Sequence, residues 1–570
     1  MRKLFTYVLV AAAAMAGFTS CSDDDNNDPQ LFELPAESKT MTPSNGLTFV
    51  SNGQSLSDVT LQYVPAADGK SASLDIFGSN ASRAASRAES PVIAPGDVLP
   101  GAASVSINVT PKFEADRATF EGDAESTYCT FHYDGTITAT TIQVNFTNIV
   151  MKNGVIISTL TFTDADVDHM LELTYNGAPL MGKTVSFKPD ASDFKRAVLT
   201  LAGQALDLTD LLATAQLPVD LSKLSKIQTP GVIPGTSSFE LPVVLGDDNA
   251  FSGSAETAFV TFNYEGQVAS EKLVFNITEA KLKNAPLSEN KWYVPHYFYN
   301  EDTWEYEGNP VHFVWESSAK FNIDLGGLVL PFPPADLVGI MLQMGLIPQD
   351  DNETASITQM ISRSLKTIEF QPDGNIIAGY VENGKVGGPV IQSPAGLAQY
   401  VIASDGTLLL YLNPQAIIMN VMKAQNEAAK SRAIDFSKYQ ATIDGLAEML
   451  ARCVSEGFPI TYANGIYKAK AATEEGEDSE FINTDDNLSV YANTEFILPI
   501  LKAVAPIFND EEVRQTIMNL AGQNEDFAAM APMLDGILKS VPDVVEGTTK
   551  IEAGIILTKN EPIVSETPAE

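Results

Sequence analysis

The sequence predicts a mainly β protein with an α+β C-terminal domain: two tandem antiparallel β sandwich or barrel repeats, then an antiparallel sheet or barrel with inserted helices. Three observations predict this. Two stretches of the chain match each other at turn residues and apolar positions. Within them, apolar and polar residues alternate at period two, the spacing of half-buried strands. Beyond residue 285, strand-length runs alternate with segments whose apolar residues recur at helical spacing.

The chain opens on Met1-Arg2-Lys3, followed by a nearly unbroken apolar run from Leu4 to Phe18 and the small residues Thr19-Ser20 before Cys21. A basic start, a short apolar core and small residues at its end predict a secretory signal peptide, residues 1–20. The run is shorter than the roughly 20 apolar residues a spanning helix takes. Phe18-Thr19-Ser20-Cys21 resembles a bacterial lipobox, with Phe18 where leucine is usual. That resemblance implies acylation of the Cys21 thiol, and hence a membrane anchor at the mature N-terminus. The next residues, Ser22-Asp23-Asp24-Asp25-Asn26-Asn27-Asp28, hold no apolar side chain and predict a solvated acidic tether over 21–44. They resemble the acidic export signal of surface lipoproteins of Bacteroides-type bacteria. The implied location is the outer membrane, exposed at the cell surface, with the periplasmic face as the alternative.

Composition narrows the classes of partner. The formal net charge is −38, from 35 basic and 73 acidic residues. That balance excludes nucleic acid, whose binding rests on Lys and Arg neutralising phosphates. It equally opposes general adhesion to anionic lipid surfaces. With Cys21 committed to lipid, only Cys129 and Cys453 remain. A disulfide framework and a cysteine-rich zinc site are thereby excluded, and both thiols are expected to be buried.

The first repeat is placed at 45–153 and the second, with its linker, at 154–284. Leu47-Thr48-Phe49 with Asn52-Gly53 matches Leu173-Thr174-Tyr175 with Asn176-Gly177. Thr60 to Pro65 matches Thr184 to Pro189, and Pro100-Gly101 matches Pro234-Gly235. The best stretch pairs Phe120-Glu121-Gly122 with Phe251-Ser252-Gly253, then Phe131 to Gly135 with Phe262 to Gly266, then Ile142 to Thr147 with Leu273 to Thr278. Asn-Gly and Asp-Gly pairs mark hairpin turns, since these residues tolerate positive φ. The copies differ most in their middles. The first has a polar run, Ser82 to Glu89, read as a loop; the second has Leu206 to Leu224, read as a short helix.

Residues 285–570 form the C-terminal α+β domain. It opens with the aromatic run Trp292 to Tyr299, and all three tryptophans, Trp292, Trp304 and Trp315, fall close together. These three with Tyr297 are the candidate ligand-binding residues, because aromatic faces stack on sugar C–H surface. The alternative is that they fill the core of a strand pair. Phe321 to Phe332 reads as strand, and Pro333-Pro334 starts a helix, as proline suits a first helical turn. Hairpins are predicted around Pro372-Asp373-Gly374-Asn375 and Asp405-Gly406. Helices are predicted within 414–456 and from Glu495 to Ser540, and a final strand from Lys550 to Leu557. This layout, with the stretch Ile368 to Ile376 and Ser393-Pro394, resembles uncharacterised lipoproteins of Bacteroides-type bacteria, some described as calycin-like. The resemblance implies a barrel-like core able to hold a small apolar ligand, and supplies no catalytic residues.

No motif carries chemistry outright. His132, His169, His296 and His312 show no paired metal spacing, and there is neither a Gly-x-Ser-x-Gly elbow nor a phosphate-binding glycine loop. Asp164-Ala165-Asp166-Val167-Asp168 begins like a calcium loop, but His169 stands where the loop needs glycine and Tyr175 where it needs glutamate. No catalytic residue, metal or cofactor is therefore assigned. The expected function is non-enzymatic binding of an apolar small molecule or glycan through the C-terminal domain of a surface lipoprotein. The alternative is an adhesion or envelope-assembly protein with the β repeats as a stalk and a protein partner.

Overall fold

A computed structural model describes residues 31–79, 96–207, 226–302, 304–324, 328–345, 347–348, 354–385, 387–414, 437–468, 480–521 and 531–562. The signal segment with Cys21, the run Ser82 to Glu89, most of Leu206 to Leu224, the helical run around Ile417 to Met422 and the acidic run Glu474 to Asp478 lie outside the described residues. By internal packing the chain forms two compact units, Met1–Lys152 and Asn153–Glu570.

The first unit is a sandwich of two sheets. One runs in the order Lys39–Met41, Val59–Pro65, Ala72–Gly78, Ser104–Val109. The other runs Gln54–Ser55, Leu47–Ser51, Ile142–Met151, Cys129–Ile137, Ala118–Glu125, Lys112–Phe113. Alternation in the sequence becomes alternation in burial: Val59, Leu61 and Tyr63 point inward, as do Leu74 and Ile76 and then Val105, Ile107 and Val109. Both sheets contribute to one core, centred on Phe146, whose ring lies 5.0 Å from Phe49 and 4.6 Å from Phe131. Pairing is antiparallel except at one seam, where Leu47–Ser51 runs parallel to Ile142–Phe146.

The second unit begins with the same strand order. Ser238–Val244, Arg196–Gly203, Lys183–Pro189 and Leu160–Thr163 repeat the first sheet, and Met170–Tyr175, Lys272–Leu282, Val260–Val268 and Ala250–Glu256 repeat the second. Here the two halves join through a single bridge, Thr163 to Met170. The parallel seam recurs, Met170–Tyr175 against Lys272–Ile277. Each copy opens on a strand that precedes the matched stretch, Lys39–Met41 and Leu160–Thr163. The matched glycines have a steric reason. Phe120 lies opposite Gly135 and Tyr133 opposite Gly122; Phe251 lies opposite Gly266 and Tyr264 opposite Gly253. Each ring covers the glycine facing it, so a side chain there would collide with the ring.

The C-terminal sheet is nearly closed into a barrel. Its strands follow one another as Trp292–Tyr293, Leu365–Phe370, Asn375–Tyr380, Ala398–Ile402, Leu408–Leu412, Phe458–Asn464, Asn487–Ala492 and Thr548–Thr558. Every pairing along this path is antiparallel, and Tyr293 also pairs with Thr558, bringing the two ends together. Val311–Ser317 adds a further strand beside Thr548–Thr558. The helices are insertions in this ring. Pro334–Gln343 and Ile357–Ser364 precede Leu365–Phe370, Gln440–Glu456 precedes Phe458–Asn464, and Thr494–Val504, Glu511–Ala521 and Ala531–Glu546 precede the last strand. Ile357–Ser364 starts on a capping box, with Ser356 Oγ accepting from the Gln359 amide.

Within this unit the second repeat and the barrel share one continuous core running from Ile156 to Leu557. Two turns read from the sequence meet at their junction. Tyr175 Oη donates to the Asp373 carbonyl at 2.7 Å, and Asn176 Nδ2 donates to Asp373 Oδ2 at 3.1 Å. No helix among the described residues is long and apolar enough to cross a membrane.

Candidate functional site

The four aromatic candidates separate into two groups. Trp292 is buried in the main core, its Nε1 donating to the Leu287 carbonyl at 3.3 Å and its ring beneath Lys559 Nζ. Trp315 packs on a small core with Phe321, 5.6 Å away, and its Nε1 donates to Thr548 Oγ1 at 2.9 Å. These two hold the sheet together. Trp304 is different: it is 79% exposed and sits at positive φ, a conformation bulky residues rarely adopt. Tyr297 is buried at the base of the same feature.

That feature is a short hairpin of Phe298–Asn300 and Glu305–Glu307, with Tyr299 opposite Tyr306. Directly opposed residues share a face of a strand pair. Tyr297, two residues before Tyr299, continues that face. Its ring is parallel to Tyr306 within 10° at 5.0 Å, and Tyr299 meets Tyr306 edge-on at 5.2 Å. The opposite face carries Phe298, whose ring stacks on His296 at 5.6 Å. Phe298, Tyr299 and Tyr306 are all exposed. The turn is held by Asn300. Its carbonyl accepts from the Trp304 amide at 2.8 Å, its Oδ1 from the Asp302 amide at 2.9 Å, and its Nδ2 donates to Glu307 Oε1 at 2.7 Å. At the base, Ser362 Oγ accepts from the Tyr297 amide and donates to the Pro295 carbonyl, both at 2.9 Å. Gly308, at positive φ, lies so close to the His296 carbonyl that any side chain would clash.

Electrostatically the hairpin is acidic outside and uncharged at its base. The carboxylates of Glu301, Asp302 and Glu307 are exposed. Burial pushes the His296 imidazole below its usual range, and the charges of Lys366 and Arg363 push the same way. Burial, then Tyr306, pushes the Tyr297 phenol up. The hairpin thus offers stacking faces with hydroxyl, indole N–H and carboxylate groups at their edges. Sequence reading found Trp304 and Tyr297 but missed Phe298, Tyr299 and Tyr306. The available signal was Tyr297 and Tyr299 at period two on one side of Asn300-Glu301-Asp302, with Tyr306 on the other.

No protein-family model, no curated protein and no solved structure matches this chain.

Two further polar clusters lie inside the second unit. His312 is fully buried; its ring stacks on Tyr491 at 4.2 Å and its Nε2 meets Glu552 Oε2 at 2.9 Å. The stack forms because Gly554 lies between them in the sheet, opposite both His312 and Tyr491. Burial alone would raise the Glu552 pKa, but the His312 hydrogen bond and Lys550 hold it below its ordinary value. The second cluster is Lys183, whose Nζ donates to the Pro230 carbonyl at 2.8 Å and the Gly231 carbonyl at 3.0 Å. Burial lowers its pKa to about 7, against the opposing pull of Asp164.

The remaining sequence candidates have plain structural roles. Asp166 Oδ1 accepts from the amides of Asp168 and His169, and Asp164 Oδ2 accepts from the Gly182 amide, so the alternate carboxylates brace a turn. Cys129 and Cys453 are free, buried thiols whose pKa values burial raises. Two open depressions lie in the first unit. One, of about 240 Å³, is floored by Met41, Tyr63 and Ile142. The other, of about 410 Å³, lies beside Asp123, Glu125 and His132. Neither lies beneath the C-terminal helices.

Proposed function

We propose that the chain is an exported lipoprotein, anchored in the outer membrane through Cys21 and displayed at the cell surface, that captures a glycan without chemically altering it. Capture is at the hairpin bearing Trp304. The observation that carries this reading is the concentration of Phe298, Tyr299, Trp304 and Tyr306, all exposed, on one short hairpin. Leaving that many rings in water is costly for a monomer, and such patches mark interaction sites. Polar groups at the ring edges favour a polyhydroxylated ligand over an oily one. The barrel-like sheet is in keeping with the resemblance to calycin-like lipoproteins, and its Phe370 and Tyr400 rings are buried 5.2 Å apart. The exposure of the hairpin rings is what favours an external glycan site over an internal apolar pocket.

One observation favours the second reading, an adhesion or envelope-assembly role. Leu328 and Val329, at the hairpin inserted before Leu365–Phe370, and Ile340 and Met341, on the helix that follows it, are exposed. A protein partner would cover such a surface.

The mature chain, incubated with insoluble cellulose, xylan, mannan and chitin, is expected to be retained by at least one. Trp304→Ala should lose that retention while keeping its circular dichroism spectrum and melting temperature. Equal retention of the variant would remove the hairpin from consideration. Separately, Cys21→Ala should move the protein from the membrane fraction to the soluble fraction without unfolding it; persistence in membranes contradicts the anchor.

A further inference from the structure

The hairpin has two unlike faces, and its charges are all of one sign. Tyr297, Tyr299 and Tyr306 share one face, with Tyr306 touching both of the others. The ring of Tyr306 is half exposed, at 51%, and backed by the buried ring of Tyr297. Rigid aromatic anchors of this kind lose little conformational entropy on binding. Trp304 stands at the tip, where Asn300 fixes the backbone. Glu301 and Asp302 are exposed at the turn, while Glu307, opposite Phe298 on the other face, accepts from Asn300; the nearby cations Lys366 and Arg363 act electrostatically on His296. Lys366 is further engaged with the Ser362 carbonyl at 2.8 Å.

Resting on the glycan reading above, we infer that the tyrosine face centred on Tyr306, with Trp304 at its edge, binds an uncharged carbohydrate chain, and that Glu301 and Asp302 exclude anionic glycans. Stacking supplies the attraction, because sugar C–H faces meet aromatic faces irrespective of charge. Selection is by repulsion: a uronate or sulfate brought to this hairpin meets the exposed carboxylates of Glu301 and Asp302. Such exclusion is a built-in negative element, which specificity often requires. Being between exposed charges, it weakens as salt shortens the screening length, about 10 Å at 0.1 M.

The test uses the whole mature chain and calorimetric titration with cellohexaose, xylohexaose, mannohexaose and chitohexaose, and with hexagalacturonate as the anionic probe. At least one neutral hexasaccharide is expected to bind, and hexagalacturonate is expected not to bind at low salt. Tyr306→Ala should weaken neutral binding by about tenfold or more, the loss of one stacking contact. Tyr306→Phe, which keeps the ring, should bind nearly as the wild type. The combined Glu301→Gln, Asp302→Asn variant should admit hexagalacturonate and leave neutral binding unchanged. If no hexasaccharide binds, the glycan reading itself falls. If hexagalacturonate binds the wild type as well as the neutral chains do, charge exclusion is overturned while glycan capture stands. If Tyr306→Ala binds normally, the tyrosine face is the wrong face.

Discussion

Lys183 shows what one side chain can reveal about its surroundings. In the first repeat the matching strand begins at Val59, an apolar residue, so the fold does not require an amine there. In the second the amine is wholly buried and two backbone carbonyls receive its protons. Burial has lowered its pKa from the ordinary lysine value to about 7. The unfolded chain therefore binds a proton between about pH 7 and pH 10 that the folded chain does not, and stability rises with pH over that window. Below it both states carry the charge, and the cost of burying the charge is fully present. The difference in unfolding free energy between wild type and Lys183→Met is expected to move in the wild type's favour by up to about 1.4 kcal/mol per pH unit across that window. Burial raises the Tyr175 and Tyr400 phenols too, but both variants share them and they cancel in the difference. Urea denaturation at several pH values measures it. A pH-independent difference would mean that Lys183 keeps its proton when folded.

At the scale of elements, the recurring motif is a ring lying across a strand onto a glycine. A Cβ on Gly266 would stand 2.5 Å from Phe251 Cζ and 2.5 Å from the Val274 carbonyl oxygen. One on Gly253 would meet the Tyr264 hydroxyl at 2.5 Å, and its three nearest atoms all belong to that side chain and none to backbone. Gly266→Ala should therefore cost about 1–3 kcal/mol, and Gly253→Ala distinctly less. The first repeat should rank its pair likewise, Gly135→Ala above Gly122→Ala, since Gly135 also faces both a ring and a carbonyl. Thermal denaturation of the four variants tests the order. A reversed order in either repeat would show that backbone freedom, rather than ring contact, sets the glycine requirement. The duplication was legible at this scale because these glycines, the Asn-Gly turns and the apolar alternation are local demands of strand and turn geometry.

At the scale of the whole molecule, the apolar side chains gather into separate cores. The core around Phe146 draws only on residues of the first unit, and the core around Phe275 only on residues of the second. Two thermal transitions are expected in calorimetry of the full chain. Phe146→Ala should lower one and Phe275→Ala the other, each removing about 3–5 kcal/mol from its own unit. A single transition shifted by both substitutions would show that the units melt together. The second repeat should melt with the barrel, because they share one core and the Tyr175–Asp373 and Asn176–Asp373 hydrogen bonds. The sequence places a boundary between these two segments at residue 285, and nothing local there records that their cores are continuous.

What the sequence by itself determined is whatever depends on neighbours along the chain. That covers strands of period two, turns at Asn-Gly and Asp-Gly, the helix start at Pro334, the duplicated β unit and the mainly β class. Only the tertiary structure decided which aromatic residues are structural and which are offered to solvent. Trp292 and Trp304 stand in similar aromatic company, yet one fills a core and the other is 79% exposed. The same holds for the parallel seam in each repeat, the near-closure of the barrel by Tyr293 and Thr558, and the sealing of Lys183 beneath two carbonyls. The physical reason is common to all of them. Burial and pairing between residues a hundred or more positions apart depend on how whole sheets pack, and no local pattern of polarity encodes that choice.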